Sequence, residues 1–310
     1  MEYVIETFGL SKRYKNRWVL KDVNMHVARG DVYGFVGENG SGKTTVIRLI
    51  TGLISATEGH AALFGVSDKT AEVLKVRNKI GAIVETPSIY LNMSATDNLK
   101  MQCGVLGIKV GAEEKIKSTL ADVGLIDLYA DKKRAGDYSL GMRQRLGLAM
   151  ALMGDPELII LDEPMNGLDP AGIVEIRELI LKLNREKQIT FLISSHILTE
   201  LALVANKYGI ISKGKLIKEI TSEELKKECR AAVYMETDDV DGLCAVLEKA
   251  YGAEIELVKT PRGVKTFSEI PLNSLFKTLA ESGITIERFN CVETGIEDYY
   301  LSLIGGAQNA

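Results

Sequence analysis

Eight residues constrain this chain more than any others: Gly37-Glu38-Asn39-Gly40-Ser41-Gly42-Lys43-Thr44. Their spacing is G-x-x-x-x-G-K-[ST]. The glycines let the backbone curl so that successive N–H groups face an anion with no Cβ in the way. Before the loop, Asp31–Val36 reads as a buried strand. After it a helical pattern runs over Lys43–Leu53, with Val46, Ile47, Leu49 and Ile50 available to pack on a sheet. A loop between a strand end and a helix start is a phosphate cradle, because free amides and the helix dipole both favour negative charge there. Lys43 supplies a point charge for the β and γ phosphates, and the Thr44 hydroxyl is positioned to ligate Mg²⁺. A glycine-rich turn with an incidental lysine would have no need of that strand and helix.

A second group of residues fits the same chemistry. Glu157–Leu161 is an apolar strand that ends in Asp162-Glu163-Pro164. In an open α/β sheet ligands bind beyond the carboxyl ends of the strands, so both acids would project toward a ligand. Asp162 is the candidate for the Mg²⁺ shell and Glu163 the candidate general base that polarises the attacking water. His196 follows the apolar strand Ile189–Ser194 in a polar turn, where it is placed to sense a γ-phosphate. His26 and His60 have no such setting and receive no role.

Apolar runs of strand length alternate with helical patterns over residues 1–220, as in an α/β domain with a mainly parallel core sheet. Ile80–Val84, Leu158–Leu161 and Ile189–Ser194 are short, unbroken and rich in Ile, Leu or Val, as strands covered on both faces are. Tyr3–Phe8 and Trp18–Val27 read as strands of an antiparallel layer. No strand is expected between Ser94 and Met153. There Ser94-Ala95-Thr96-Asp97 resembles a capping box, and helices are expected around Asn98–Leu106, Glu113–Val123 and Met142–Met153. This insert, residues 94–153, reads as a helical subdomain. Lys207–Ser212 and Lys215–Ile220 flank Lys213-Gly214 as a hairpin.

Near Thr221 the pattern changes, and 310 residues are enough for a second, smaller domain over 221–310. A charged helix through Lys227 is expected first. Strand Ala231–Thr237, helix Val240–Tyr251, strands Glu254–Val258 and Val264–Ile270, helix Leu272–Ser282 and strand Thr285–Asn290 follow, with a terminal helix around Gly295–Leu303. The order βαββαβ is that of a small α+β, ferredoxin-like domain. It carries no catalytic cluster, so a regulatory or bracing role is expected of it.

A net charge of −4 weighs against a nucleic-acid surface, which needs excess Lys and Arg. No apolar stretch approaches the length that spans a bilayer, and Met1-Glu2-Tyr3-Val4 lacks the layout of a signal peptide. Cys103, Cys229, Cys244 and Cys291 are scattered, as reduced thiols in cytosolic surroundings are. A cytoplasmic chain that reaches a membrane only through a partner is therefore expected.

Over residues 1–220 the constellation resembles the nucleotide-binding subunits of ABC transporters. The residues that carry the likeness are Tyr138-Ser139-Leu140-Gly141-Met142-Arg143-Gln144-Arg145, similar to a signature loop that is usually Leu-Ser-Gly-Gly-Gln. Ser139 and Gly141 are in place, whereas Leu140 and Met142 depart. The resemblance implies ATP and Mg²⁺ as ligands. It implies contacts from Gly37, Asn39, Gly40, Ser41, Gly42, Lys43, Thr44 and Thr45, with Tyr14 stacking on adenine and Trp18 its nearby competitor. It further implies an ATP-dependent homo- or heterodimer closed head to tail. In that dimer Ser139 and Gly141 of one subunit would cover the nucleotide of the other, and Asn166–Pro170 would communicate across the interface. The remaining partner would be an integral-membrane permease, holding the chain on the inner face of the membrane.

One departure concerns Glu85, where the family normally has a glutamine that contacts Mg²⁺ and water. An anion there repels a γ-phosphate unless metal offsets it, so hydrolysis is expected to be slower or more tightly tied to Mg²⁺ than in relatives with glutamine. Glu85, Ile89–Ser94 and the Tyr138–Met142 loop are similar to the exporters that protect bacteria from bacitracin and lantibiotics. The alternative is a soluble ABC ATPase acting on ribosomes, DNA or cofactor assembly. It fits less well, because there is a single phosphate-loop motif and no coiled-coil insert.

Overall fold

The computed structural model describes residues 2–306 except 230, 253, 269 and 294. Two compact units divide between Ser222 and Glu223.

In the first unit, a six-stranded sheet carries the phosphate loop. Its order is β11-β10-β4-β9-β8-β7, with β4 Val32–Val36, β7 Ile80–Ile83, β8 Leu158–Asp162, β9 Thr190–Ser195, β10 Lys207–Ser212 and β11 Lys215–Thr221. All neighbours are parallel except β10 and β11, which form the expected hairpin through left-handed Lys213 and Gly214. Every residue of β4, β8 and β9 is buried. That explains why these segments are mainly apolar and do not alternate, with Asp162, Ser194 and Ser195 at the strand ends.

A second, antiparallel sheet contains β1 Tyr3–Tyr14, β2 Arg17–Val23, β3 His26–Ala28, β5 Glu58–Leu63 and β6 Val66–Ser67. The run Trp18–Val27, expected as one strand, is two. Asp22 is left-handed (φ 54) and the Asn24 side chain accepts from Gly9 N at 2.7 Å, which breaks the ladder between β2 and β3. α1 Lys43–Ile50 and α2 Val73–Arg77 follow the phosphate loop and β6. Val46, Ile47, Leu49 and Ile50 are buried in a core shared with both sheets.

Between β7 and β8 the described chain is helical: α3 Ala95–Leu106, α4 Ala112–Asp122 and α5 Leu140–Leu152, with short 3₁₀ turns before α5. Ser94 Oγ caps α3 by accepting from Asp97 N at 3.1 Å, and also donates to the Asp97 carboxylate. α5 starts two residues earlier than its apolar pattern implies because Ser139 Oγ caps it, accepting from Met142 N at 3.2 Å. Residues 170–187 carry the 18-residue α6 Pro170–Lys187, a helix not anticipated from the apolar pattern. Asp169 as cap, Pro170 in the first turn and Arg185 and Lys187 in the last are its start and stop signals. The short α7 Leu198–Leu201 follows β9.

α8 Ser222–Glu228 has its first residue in the first unit and the rest in the second. Then come β12 Ala231–Glu236, α9 Val240–Tyr251, β13 Leu257–Thr260, β14 Gly263–Thr266, α10 Leu272–Ser282, β15 Arg288–Glu293 and α11 Ile296–Gly306. The strands form one antiparallel sheet in the order β13-β14-β12-β15. Met235, Leu243, Cys244, Leu247, Val264, Leu275 and Leu279 make its core. The boundaries differ from expectation. β13 starts at Leu257 rather than Glu254, β14 stops at Thr266 rather than Ile270, and β15 starts at Arg288 rather than Thr285. Of the span once expected for β14, position 269 lies outside the described residues.

A buried polar cluster ties the two sheets of the first unit. Tyr33 on β4 is fully buried and its hydroxyl donates to Glu219 Oε1 on β11 at 2.7 Å. Glu219 also accepts from His26 N of β3 at 3.0 Å, and its Oε2 lies 2.8 Å from His26 Nδ1. Burial and the neighbouring Glu219 carboxylate push the Tyr33 phenol well above its usual range. Tyr33 reaches Glu219 only because Gly209 on β10 has no side chain, since a Cβ there would sit 2.1 Å from the Tyr33 oxygen. Gly209→Ala is therefore predicted to destabilise the protein by ~1–3 kcal/mol through overpacking. A fall in the urea unfolding midpoint checks this, and an unchanged midpoint contradicts it.

Candidate functional site

The phosphate loop runs from the end of β4 to the first turn of α1, and sterics dictate its glycines. A Cβ on Gly37 would lie 2.4 Å from the Ile211 carbonyl oxygen. Gly42 caps α1 with φ 112, a left-handed conformation, and a Cβ there would meet Leu20 at 2.5 Å. Ser41 is buried and its Oγ has no hydrogen-bond partner. A glycine-lined turn, a helix N-terminus and an orphaned buried hydroxyl together suit an anion with several oxygens. Thr44 and Thr45, in the first turn of α1, are half-buried.

Lys43 is only 5% exposed. Its ammonium donates to the carbonyls of Gly37 at 2.6 Å and Glu38 at 3.3 Å, and pairs with Glu163 Oε1 at 3.2 Å. The other Glu163 oxygen lies 2.8 Å from His196 Nδ1. Lys43, Glu163 and His196, far apart in the chain, are thus brought together through one carboxylate. Glu163 sits one residue beyond β8 with φ 51, a left-handed turn that is unusual for a side chain of its size. Its N–H donates to Ser194 Oγ at 2.9 Å and to the Ser194 carbonyl at 3.2 Å. Ser194 Oγ in turn donates to Asp162 Oδ1 at 2.5 Å. Asp162 is 3% exposed, at the end of β8.

Ser194 is the residue that sequence reasoning missed. One hydroxyl holds both the buried Asp162 carboxylate and the backbone of Glu163. The available signal was a polar residue closing an otherwise apolar strand, but its partners depend on the pairing of β8 with β9.

Other expected residues lie apart from this cluster. Glu85, at φ 64, is 59% exposed, and its Oε1 accepts from Arg48 Nη2 at 2.5 Å. Ser139 and Gly141 start α5, and among the described residues Ser139 makes no hydrogen bond to the phosphate loop. They pack near the loop that follows Glu163: a Cβ on Gly141 would lie 3.8 Å from Leu168, and one on Gly167 3.3 Å from Leu140. Residues 166–168 line a cavity of about 150 Å³ together with Glu163 and His196. Tyr14 ends β1 with its ring 46% exposed and Lys12 Nζ 5.1 Å from the centroid. Trp18, across the β1–β2 turn, is half-buried under Arg13.

Residues 20–166 match the family described as ABC transporter. The whole chain is similar to the bacitracin transport ATP-binding protein BcrA of Bacillus licheniformis, 40% identical with 99% of both chains covered. The chain belongs to the ABC transporter ATP-binding proteins. A second relative is the lantibiotic transport ATP-binding protein SrtF of Streptococcus pyogenes, 43% identical over 68% of this chain and 88% of its own. Among solved structures, cbiO1 from Clostridium perfringens, part of the ABC transporter complex cbiONQ, superposes with a TM-score of 0.67. That match is 25% identical and covers 74% of this chain and 92% of the other. An ABC transporter ATP-binding protein is the ATP-hydrolysing component of a transporter, and the bridge from Asp162 through Ser194 to Glu163 lies at the carboxyl ends of β8 and β9. No helix among the described residues is long and apolar enough to cross a membrane.

Ser194→Ala leaves the buried Asp162 oxygen and the Glu163 N–H without their shared partner. A loss of ~1–3 kcal/mol is expected. Urea denaturation checks it, and a stability equal to the parent's would show that the bridge carries no weight.

Proposed function

We propose that this chain is the ATPase subunit of an exporter that moves peptide antibiotics of the bacitracin or lantibiotic type outward, together with a separate integral-membrane permease. The observation that carries the reading is the Glu163 carboxylate, held between Lys43 and His196 one residue beyond Asp162. The names of two relatives, one for bacitracin and one for lantibiotic transport, support the substrate class.

In this reading Lys43 exchanges the Gly37 and Glu38 carbonyls for the β and γ phosphates of ATP. The amides of Asn39 to Thr45 and the Ser41 hydroxyl bind the remaining oxygens. Thr44 and Asp162 would hold Mg²⁺, which neutralises charge on the bridging phosphate oxygens. Once Lys43 turns to the phosphates, Glu163 accepts a proton from the attacking water, while His196 holds that carboxylate in place and senses the γ-phosphate. Tyr14 stacks on adenine through its exposed face. Ser139 and Gly141 of a second cassette cover the nucleotide, so that ATP joins two subunits, alike or different, and hydrolysis parts them.

Residues 1–220 act as the ABC ATPase domain, with 94–153 as its helical subdomain. Residues 221–310 serve as a ferredoxin-like accessory domain that regulates or braces the dimer. The chain works in the cytoplasm, attached to the inner face of the membrane by its permease. A partner in ribosome or assembly chemistry is not favoured by any observation.

Glu163→Gln keeps the shape of the side chain and removes the base. Steady-state ATP hydrolysis is predicted to fall by about 10²–10⁴-fold while ATP binding persists. Phosphate release together with equilibrium ATP binding checks this, and turnover within twofold of the parent would sink the role of Glu163.

A further inference from the structure

β9 lies between β4, which leads into the phosphate loop, and β8, which ends in the paired acids. Its last two residues are serines, and strand register sets Ser194 beside Asp162 of β8 and Ser195 beside Val36 of β4. The Ser195 carbonyl accepts from Gly37 N, at the start of the phosphate loop, at 3.3 Å. The Ser195 hydroxyl accepts from Ile197 N at 3.0 Å, within the turn that carries His196. Ser194 serves the other side. Its carbonyl and its hydroxyl both accept from Glu163 N, at 3.2 and 2.9 Å, and the hydroxyl proton goes to Asp162 Oδ1 at 2.5 Å.

Glu163 needs such a hold. At φ 51 its backbone is in a region that side chains of its size rarely adopt, and such a conformation persists only where the surroundings fix it. The same backbone decides where the carboxylate points. One oxygen lies 3.2 Å from Lys43 Nζ and the other 2.8 Å from His196 Nδ1. Ser194 is fully buried, so bulk water is not at hand to take the place of its hydroxyl. A hydroxyl can accept from an N–H while donating to a carboxylate, whereas a methyl group in the same space does neither.

We propose that Ser194 is a positioning residue for hydrolysis. Through its bond to the Glu163 N–H it keeps the Glu163 carboxylate where that group can accept a proton from the attacking water. This inference rests on the ATPase reading above. The phosphates are gripped by the loop amides and Lys43, so loss of the Ser194 hydroxyl acts on turnover rather than on nucleotide affinity. The effect is steep, because a displacement of about 1 Å at a reacting group can lower a rate about 100-fold.

The test compares Ser194→Ala and Ser194→Thr with the parent, as full chains and at a temperature where urea denaturation shows each of them folded. Phosphate release from MgATP gives kcat and KM. Binding of the non-hydrolysable analogue adenosine 5′-(β,γ-imido)triphosphate reports affinity separately from turnover. Ser194→Ala is expected to lower kcat about 10- to 100-fold, with KM and analogue affinity within about threefold of the parent. Ser194→Thr keeps the hydroxyl and is expected to recover most of the rate. In a Glu163→Gln background, adding Ser194→Ala is expected to leave the residual single-turnover rate unchanged, because the base that Ser194 positions is already gone. An unchanged kcat in Ser194→Ala, a loss confined to affinity, equal losses in the alanine and threonine variants, or the same further loss on top of Glu163→Gln would overturn the assignment. A parent that releases no phosphate from MgATP, or a Glu163→Gln variant that turns over like the parent, would instead overturn the ATPase reading, and the role of Ser194 with it.

Discussion

The structure turns on a lysine that water hardly reaches. A desolvated ammonium must find acceptors for its hydrogens, and Lys43 finds the Gly37 and Glu38 carbonyls and the Glu163 carboxylate. Each neighbour is constrained in turn. The loop can bring its carbonyls round only because Gly37 passes within van der Waals reach of Ile211 on β10, where no Cβ fits. Glu163 faces the lysine because its backbone is left-handed, and Ser194 holds that backbone while also binding Asp162. A buried ion pair is weak evidence for stability, since desolvation offsets much of its Coulomb gain. In the proposed function its value is that Lys43 would exchange carbonyls and a carboxylate for phosphate oxygens without losing all its partners.

What the sequence disclosed depended on how local each feature is. The phosphate loop is legible because all its requirements fall within eight residues between a strand and a helix. The parallel strands are legible because burial on both faces leaves no charged residue in β4. Glu163 and His196 could be placed at strand ends, though not next to each other, because their contact depends on the register of β8 with β9. Ser194, Arg48 and the Tyr33–Glu219 pair were out of reach for the same reason: each bond joins residues at least 31 positions apart. α6 is a different case. Asp169 and Pro170 announce its start, but its apolar residues are mixed with charged ones and the periodic signal is diluted.

In the second unit the element order could be read and the strand edges could not. Alternation of strand and helix patterns survives errors of a few residues, whereas edges depend on hydrogen bonds to a neighbouring strand. β15 begins at Arg288 because that is where pairing with Glu236 of β12 starts. The core is built from α9, α10 and the central strands β12 and β14, which hold its fully buried Met235, Leu243, Leu247, Val264 and Leu275.

The dependence of the site on Lys43 can be measured directly by phosphate release from MgATP, comparing the parent with Lys43→Ala after both show the same cooperative unfolding. Turnover in the parent that falls by about 10²–10³-fold in the variant is the predicted result. Equal turnover in the two proteins would contradict it, since the phosphates would then be held by something other than the lysine around which this site is built.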